Sequence, residues 1–255
     1  MNIPAGSLFD RKLCHPDESA LLEGMELFRL RGEKCPYFGD GRVRENLSFI
    51  AREVSEDTYE RLLAFGWRRC GALFYKPLCP GCQDCRPLRV DSALFHLDRS
   101  QKRCLKRNCE MSISIGEPFD SDEDFELFTR YCKARHGEGS QRREEFRLFL
   151  AEPPLPSIAI RHRLQKNGRL VCVAWTDILP NSLSAVYTAF DPDLPKLGLG
   201  VFSILVQLQL CRQMSRRYLQ IGFYIKDCRK MSYKRNYMPC QAPDENGEWE
   251  SFPKS

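Results

Sequence analysis

Hydrophobic and polar positions along the chain alternate between two periods, and the switches between them mark the elements. A short helix is predicted over Ser19–Leu30, bounded by Pro16 and Gly32, within a variable lead-in of residues 1–33. Ser55 can cap the helix that starts there, with Glu56 and Asp57 at the positive end of its dipole and Gly66 past its end. Two strand-like pieces follow, Trp67–Tyr75 and Leu88–Leu97, separated by the Pro, Gly and Cys-rich turn Pro77–Pro87. Next come a helix at Arg99–Asn108, a strand at Met111–Ile115, and helices at Ser121–Ala134 and Arg142–Leu150, closed by Pro153, Pro154 and Pro156. Three strands are then expected, Ser157–Leu164, Leu170–Ile178 and Leu183–Phe190, the first pair joined by the hairpin signal Asn167-Gly168. Gly198-Leu-Gly200 leads into an apolar helix, Val201–Met214, and a strand, Tyr218–Tyr224.

An antiparallel meander followed by a glycine turn, a helix and a further strand is the layout of an N-acyltransferase core. The expected class is therefore α+β: a GNAT-like core with a central, mostly antiparallel sheet flanked by helices, plus a smaller N-terminal α+β region. The expected division is 1–92, 93–240 and a poorly ordered tail, 241–255. With 255 residues, 42% of them hydrophobic, the chain can bury a substantial core. It has no run of about 18 apolar residues, and Met1–Arg11 lacks the basic-then-apolar layout of a secretory signal, so the expectation is a cytoplasmic protein without a membrane partner. Thirteen cysteines, an odd number in a long chain, point to reduced thiols rather than a disulfide framework. Cys132, Cys172 and Cys211 lie in apolar periodic stretches as small hydrophobes.

The net charge of +5 says little by itself; its distribution says more. Arg99, Lys102, Arg103, Lys106 and Arg107 recur at i, i+3, i+4, i+7 and i+8, one stripe on a helix, with no acidic residue between them. Such a stripe suits a phosphate backbone. A second cluster, Tyr224, Lys226, Arg229, Lys230, Tyr233, Lys234, Arg235 and Tyr237, combines cations with rings able to stack on unpaired bases. Cys79, Cys82 and Cys85 have metal-like spacing, and Cys35, with Cys70 as the alternative, is the candidate fourth ligand for zinc or an iron–sulfur cluster, with reduced thiols in a tight turn as the plain reading. Gly198 and Gly200 before a helix can present backbone N–H groups to phosphate or to a developing oxyanion.

Gly66-Trp-Arg68-Arg69-Cys-Gly71, Tyr75-Lys-Pro77, the cysteine turn into Arg86-Pro-Leu-Arg89-Val90, and Arg99 through Asn108 resemble the N-terminal half of the aminoacyl-tRNA protein transferase family. Tyr187, Phe190-Asp191-Pro192, Gly198-Leu-Gly200 and Gly222 through Lys234 resemble its C-terminal half, so the matches cover most of residues 35–239. The resemblance implies addition of a destabilising amino acid to an acidic protein N-terminus in N-degron degradation. Compact length and the Cys-Pro-Gly-Cys-Gln-Asp-Cys turn look like the bacterial aspartate/glutamate leucyltransferase branch rather than the arginyltransferases, from whose CxxC near the start Cys35-Pro-Tyr-Phe departs.

The partners so implied are leucyl-tRNA as donor, proteins beginning with Asp or Glu as acceptors, and no DNA; no cofactor is required. Asp191 or Tyr187 is expected to take the proton from the attacking amine. Arg68, Arg69, Arg86 and Arg89 are the candidates for holding the acidic side chain, since guanidinium pairs bidentately with carboxylate. The basic stripe with Lys226, Arg229, Lys230, Tyr233 and Lys234 is expected to hold tRNA. Competing readings are an N-acyltransferase using acetyl-CoA, an arginyl-tRNA protein transferase acting on the same acidic N-termini, and a zinc-containing RNA-binding module without catalysis.

Overall fold

The computed structural model describes residues 14–137 and 141–253; the chain start, read above for a targeting signal, lies outside them. Contacts divide the chain into two units, residues 1–91 with 220–255, and residues 92–219.

The first unit opens with helix α1 (Pro16–Leu21) and strands β1 (Phe28–Lys34) and β2 (Val43–Ile50), followed by helix α2 (Glu56–Ala64) and strands β3 (Arg68–Cys70), β4 (Leu73–Pro77) and β5 (Arg86–Asp91). Strands β1 to β4 form an antiparallel sheet in the order β1-β2-β4-β3. Ser55 caps α2, its side chain accepting from Thr58 N–H, and Tyr59, Leu62 and Leu63 bury the helix's inner face. Phe49 stacks on Phe74 with ring centroids 4.8 Å apart, and Tyr59 meets Phe74 edge-on. The buried Glu18 carboxylate accepts from Trp67 Nε1 at 2.7 Å and from Lys76 Nζ at 2.8 Å, which compensates its loss of water.

Three expectations change here, the first being the strand expected over Leu88–Leu97, which is β5 and ends at Asp91. The stretch expected as one helix from Ser19 to Leu30 holds a shorter helix and the start of β1, which pairs with β2 from Phe28↔Ser48 onward. The piece expected as one strand, Trp67–Tyr75, folds back on itself at Gly71, whose φ of +61° gives the turn between β3 and β4.

The second unit contains helix α3 (Arg99–Arg107), strand β6 (Met111–Gly116) and helices α4 (Asp122–His136) and α5 (Arg143–Phe146). A π turn over Arg147–Ala151 continues α5, where one α-helix is expected from the sequence. Strands β7 (Ser157–Leu164), β8 (Leu170–Ile178) and β9 (Ser182–Phe190) then form the antiparallel ladder β6-β7-β8-β9. A 3₁₀ turn, Pro195–Leu197, precedes helix α6 (Leu199–Gln213), and strand β10 (Tyr218–Tyr224) straddles the unit boundary.

Strand β8 is buried almost throughout, and its successive side chains serve opposite faces. Val173 and Trp175 join Leu127, Phe128, Phe146 and Leu150 in the α4 cluster, while Thr176 donates to Gln207 Oε1 of α6 at 3.1 Å. The thiols of Cys132, Cys172 and Cys211 are buried among apolar neighbours, as their sequence context indicates.

Beyond β10 the chain belongs to the first unit. It forms helix α7 (Arg229–Ser232), a 3₁₀ turn over Tyr233–Asn236, and strands β11 (Cys240–Pro243) and β12 (Trp249–Ser251). The segment after Gln241 is therefore no loose tail: β11 pairs with β5 through Cys240↔Val90 and with β12 through Gln241↔Ser251, and Phe252 is buried. Among the described residues no helix is long and apolar enough to cross a membrane.

Candidate functional site

In the second unit, α3 starts at Asp98, which accepts from Gln101 N–H while Gln101 Oε1 accepts from Asp98 N–H, a complete capping box. Gln101 and Cys104 form the buried face, which leaves Arg99, Lys102, Arg103, Lys106 and Arg107 exposed on the other. Arg107 Nη1 donates to the Lys196 carbonyl, and Asn108 Nδ2 donates to the Leu197 carbonyl at 2.8 Å, so the basic helix is tied to the glycine turn. Gly198 caps α6 with φ +65° and ψ 40°, a left-handed conformation that costs little only for glycine, and no side chain caps that end. A Cβ on Gly200 would come within 3.2 Å of Phe190, so that residue too is held small by close packing.

Asp191 lies just past β9 and its side chain has no exposed surface. Its Oδ2 pairs with Arg169 and, at 3.1 Å, with Arg130 Nη2, and its Oδ1 accepts from Asp193 N–H at 3.0 Å. Arg130 and Arg169 carry no local sequence signal of this role, because the three residues meet only through the tertiary fold. Tyr187 is half-buried, its hydroxyl 3.6 Å from Cys132 Sγ, in an aromatic nest with Phe128, Tyr131 and Phe149. The structure thus places Tyr187 and Asp191 in very different surroundings: the phenol is partly open, while the carboxylate is enclosed by guanidinium groups.

In the first unit the four candidate arginines separate. Arg86 is exposed, over the Phe252 ring, and Arg89 donates to Gln241 Oε1 at 2.8 Å and lies over Trp249. Arg68 and Arg69 are both buried. Arg68 Nη1 donates to the Trp67 carbonyl at 2.9 Å, and burial lowers the guanidinium's pKa from its ordinary range.

Of the second basic cluster, Lys226, Arg229, Lys230 and Tyr233 are exposed. Lys234 is the exception. Only 9% of it is exposed, and its Nζ donates to the Phe223 carbonyl at 2.8 Å. Burial, with the Arg68 charge beside it, brings its pKa down to about 7. A side chain so enclosed is unsuited to gripping an RNA phosphate, which corrects its placing in the RNA-facing group.

The cysteine turn is irregular backbone between β4 and β5. Cys79 Sγ accepts from Glu45 N–H at 3.4 Å, and Cys82 Sγ from Arg42 Nη1 at 3.2 Å. The Cys85 thiol is pushed up to about 12 by burial and by the neighbouring Cys79, Cys35 and Cys82. The four residues are neighbours, and the Cys79 and Cys82 sulfurs are engaged by these protein donors. Among the described residues no group of three or more His, Cys, Asp or Glu is disposed to hold a metal ion.

Sequence comparison bears on both units. Residues 33–103 match the sequence model described as arginine-tRNA-protein transferase, N terminus, and residues 123–244 that of its C terminus. The aspartate/glutamate leucyltransferase of Saccharophagus degradans is 37% identical over 236 residues, 91% of this chain and 98% of that protein. That of Shewanella putrefaciens is 40% identical over 220 residues, 85% of this chain and 91% of the other. Among solved structures, L-PGS from Bacillus licheniformis superposes with a TM-score of 0.45 at 12% identity, over 83% of this chain and 72% of that one. FemX superposes with 0.44 at 9% identity, over 89% and 87%.

Proposed function

The chain belongs to the aminoacyl-tRNA protein transferase family, and on that premise we propose that it moves leucine from leucyl-tRNA to the α-amine of proteins beginning with Asp or Glu, which marks them for N-degron degradation. It is an aminoacyltransferase. The observation that carries this reading is the 37% identity running through 98% of a leucyltransferase's length, since a match of that extent takes in donor and acceptor sites alike. An arginyl donor is the second reading, favoured by the description of the two matching sequence models.

The donor ester is already activated, so the work of the protein is to bring an amine against its carbonyl; well-oriented reactants of this kind gain roughly 7–11 kcal/mol of the barrier. An α-amine with a pKa near 7.7–8.0 is about a tenth to a fifth neutral at pH 7, so a weak proton acceptor suffices. Tyr187 is the better-placed candidate to orient the amine and pass on its proton, because the residue is only half-buried whereas the Asp191 side chain is fully buried and paired with Arg130 and Arg169. Asp191 then acts as a positioning residue, fixing the end of β9 against α4.

The exposed stripe on α3 holds the tRNA backbone, with Lys226, Arg229 and Lys230 as further phosphate contacts and Tyr233 as a stacking surface. The Gly198–Gly200 turn offers its N–H groups to phosphate or to the ester oxyanion. Strands β7 to β9 with the glycine turn and α6 follow the chain order of an N-acyltransferase core. Arginines of β3 and β5 hold the acidic first side chain of the acceptor, and charged tRNA fills the role that acetyl-CoA has in other N-acyltransferases. A cytoplasmic location is the one in which such a donor is available.

The test is to offer leucyl-tRNA and arginyl-tRNA separately to the purified protein, with peptides beginning with Asp, Glu or Ala. Leucine on the Asp and Glu peptides alone supports the reading; transfer of arginine alone replaces it with the arginyl one.

A further inference from the structure

We propose that Arg68 of β3 and Lys234, in the 3₁₀ turn after α7, together form a buried anion receptor that takes the side-chain carboxylate of the acceptor's first residue. This rests on the proposed function above and narrows its four candidate arginines to one, while adding a lysine that the sequence assigns elsewhere.

Burying a cation is costly unless an anion and hydrogen bonds replace its water. Arg68 and Lys234 are 7% and 9% exposed. Neither has a carboxylate partner among the described residues, and Lys234 feels the Arg68 charge. What holds them is neutral: the Trp67 carbonyl for Arg68 Nη1, the Phe223 carbonyl for Lys234 Nζ, and the Phe223 ring 5.2 Å from the guanidinium carbon. Arg68 Nε and Nη2 are buried without any partner.

Those two nitrogens share the edge of the guanidinium that grips a carboxylate side-on. The same molecule shows the completed arrangement elsewhere: Arg161 uses Nε and Nη2 to hold both oxygens of Asp124, at 3.1 and 2.6 Å. In Arg68 the fork is present and the carboxylate is missing. Gly222 keeps room on the Lys234 side, since its φ is +78° and a Cβ there would come within 3.2 Å of Lys234 Nζ. Any other residue at 222 would crowd Lys234 Nζ.

A planar fork with an ammonium beside it selects a carboxylate with one oxygen left for a third donor. In an acceptor protein that group is the side chain of an N-terminal Asp or Glu. The isosteric Asn and Gln lack the charge and place an N–H₂ against two cations, so they are rejected.

The experiment compares Arg68→Lys and Lys234→Met with the wild type, using leucyl-tRNA and peptides that begin with Asp or Asn. Wild type is expected to favour Asp strongly. Each variant is expected to lose at least about tenfold in kcat/KM on the Asp peptide, the loss of one charged hydrogen bond, with the Asp-to-Asn ratio falling towards one and tRNA affinity unchanged. Equal losses on both peptides, or a retained ratio, overturn the proposal. Should wild type itself transfer no leucine to Asp peptides, the functional reading fails instead. If a variant does not fold, the Nε–H resonance of Arg68 in ¹⁵N-labelled wild type decides the point: it is expected to shift with Asp peptide and not with Asn peptide, and no shift overturns the proposal.

Discussion

Arg161 holds the Asp124 carboxylate side-on across the second unit, from β7 to the first turn of α4, with Asp124 fully buried. Removing one partner of such a pair leaves the other charge buried and uncompensated. Asp124→Ala is expected to destabilise the protein by about 3–5 kcal/mol, measured as a shift in urea-unfolding midpoint at constant slope. A shift below about 1 kcal/mol, the scale of an exposed ion pair, would mean that this one is well solvated.

His162 supplies a pH dependence. It is buried on β7, Nδ1 lies 3.3 Å from the Cys172 carbonyl, and desolvation brings its pKa down from 6.5 to about 4. The unfolded chain takes up a proton near pH 6.5 that the folded chain refuses until about pH 4. This contribution to stability is present above pH 6.5 and lost as the pH falls towards 4, roughly 3 kcal/mol in all at 1.36 kcal/mol per pKa unit. His162→Gln should flatten that part of the stability curve; an unchanged slope between pH 6.5 and 4 would contradict the assignment.

Gly198→Ala isolates backbone conformation from packing. The added Cβ meets Cys104 Sγ at 3.5 Å, an ordinary contact, while φ stays at +65°. The expected cost is about 1–2 kcal/mol from left-handed strain, read as a lowered melting temperature. A neutral effect would show that the turn before α6 relaxes freely.

The α3 stripe is tested by charge and salt. Arg103→Gln and Lys106→Gln are each expected to weaken tRNA binding for all sequences alike and to lower the slope of log affinity against log salt by about one. Asp- and Glu-peptide specificity should remain. Unaltered slopes in both variants would remove α3 from the RNA-binding surface.

Local signals made some elements legible and left others hidden. The Asn167-Gly168 hairpin and the alternation around it place β7 and β8 at their observed ends, and a charged helix with its own cap could be read from Arg99 onward. The segment Ser19–Leu30 misleads because β1 is stabilised by pairing with β2, which has no strong pattern of its own, and long-range pairing overrides local spacing. The order after Gln241 was invisible for the same reason, since β11 depends on β5. Among site residues, the exposed stripe follows from spacing alone. The burial of Lys234 does not: it looks like its neighbours Arg229 and Lys230, and only the fold brings it to Arg68. The enclosure of Asp191 likewise needs Arg130 from α4 and Arg169 from the hairpin turn.

The central claim is chemical, that an acidic chain end and leucyl-tRNA are the two substrates. Equal amounts of leucyl- and arginyl-tRNA mixed with one Asp-initiated peptide and the purified protein, with the product sequenced, test it in a single tube. The account predicts a peptide that now begins Leu-Asp; a product beginning Arg-Asp, or an unextended peptide, contradicts it.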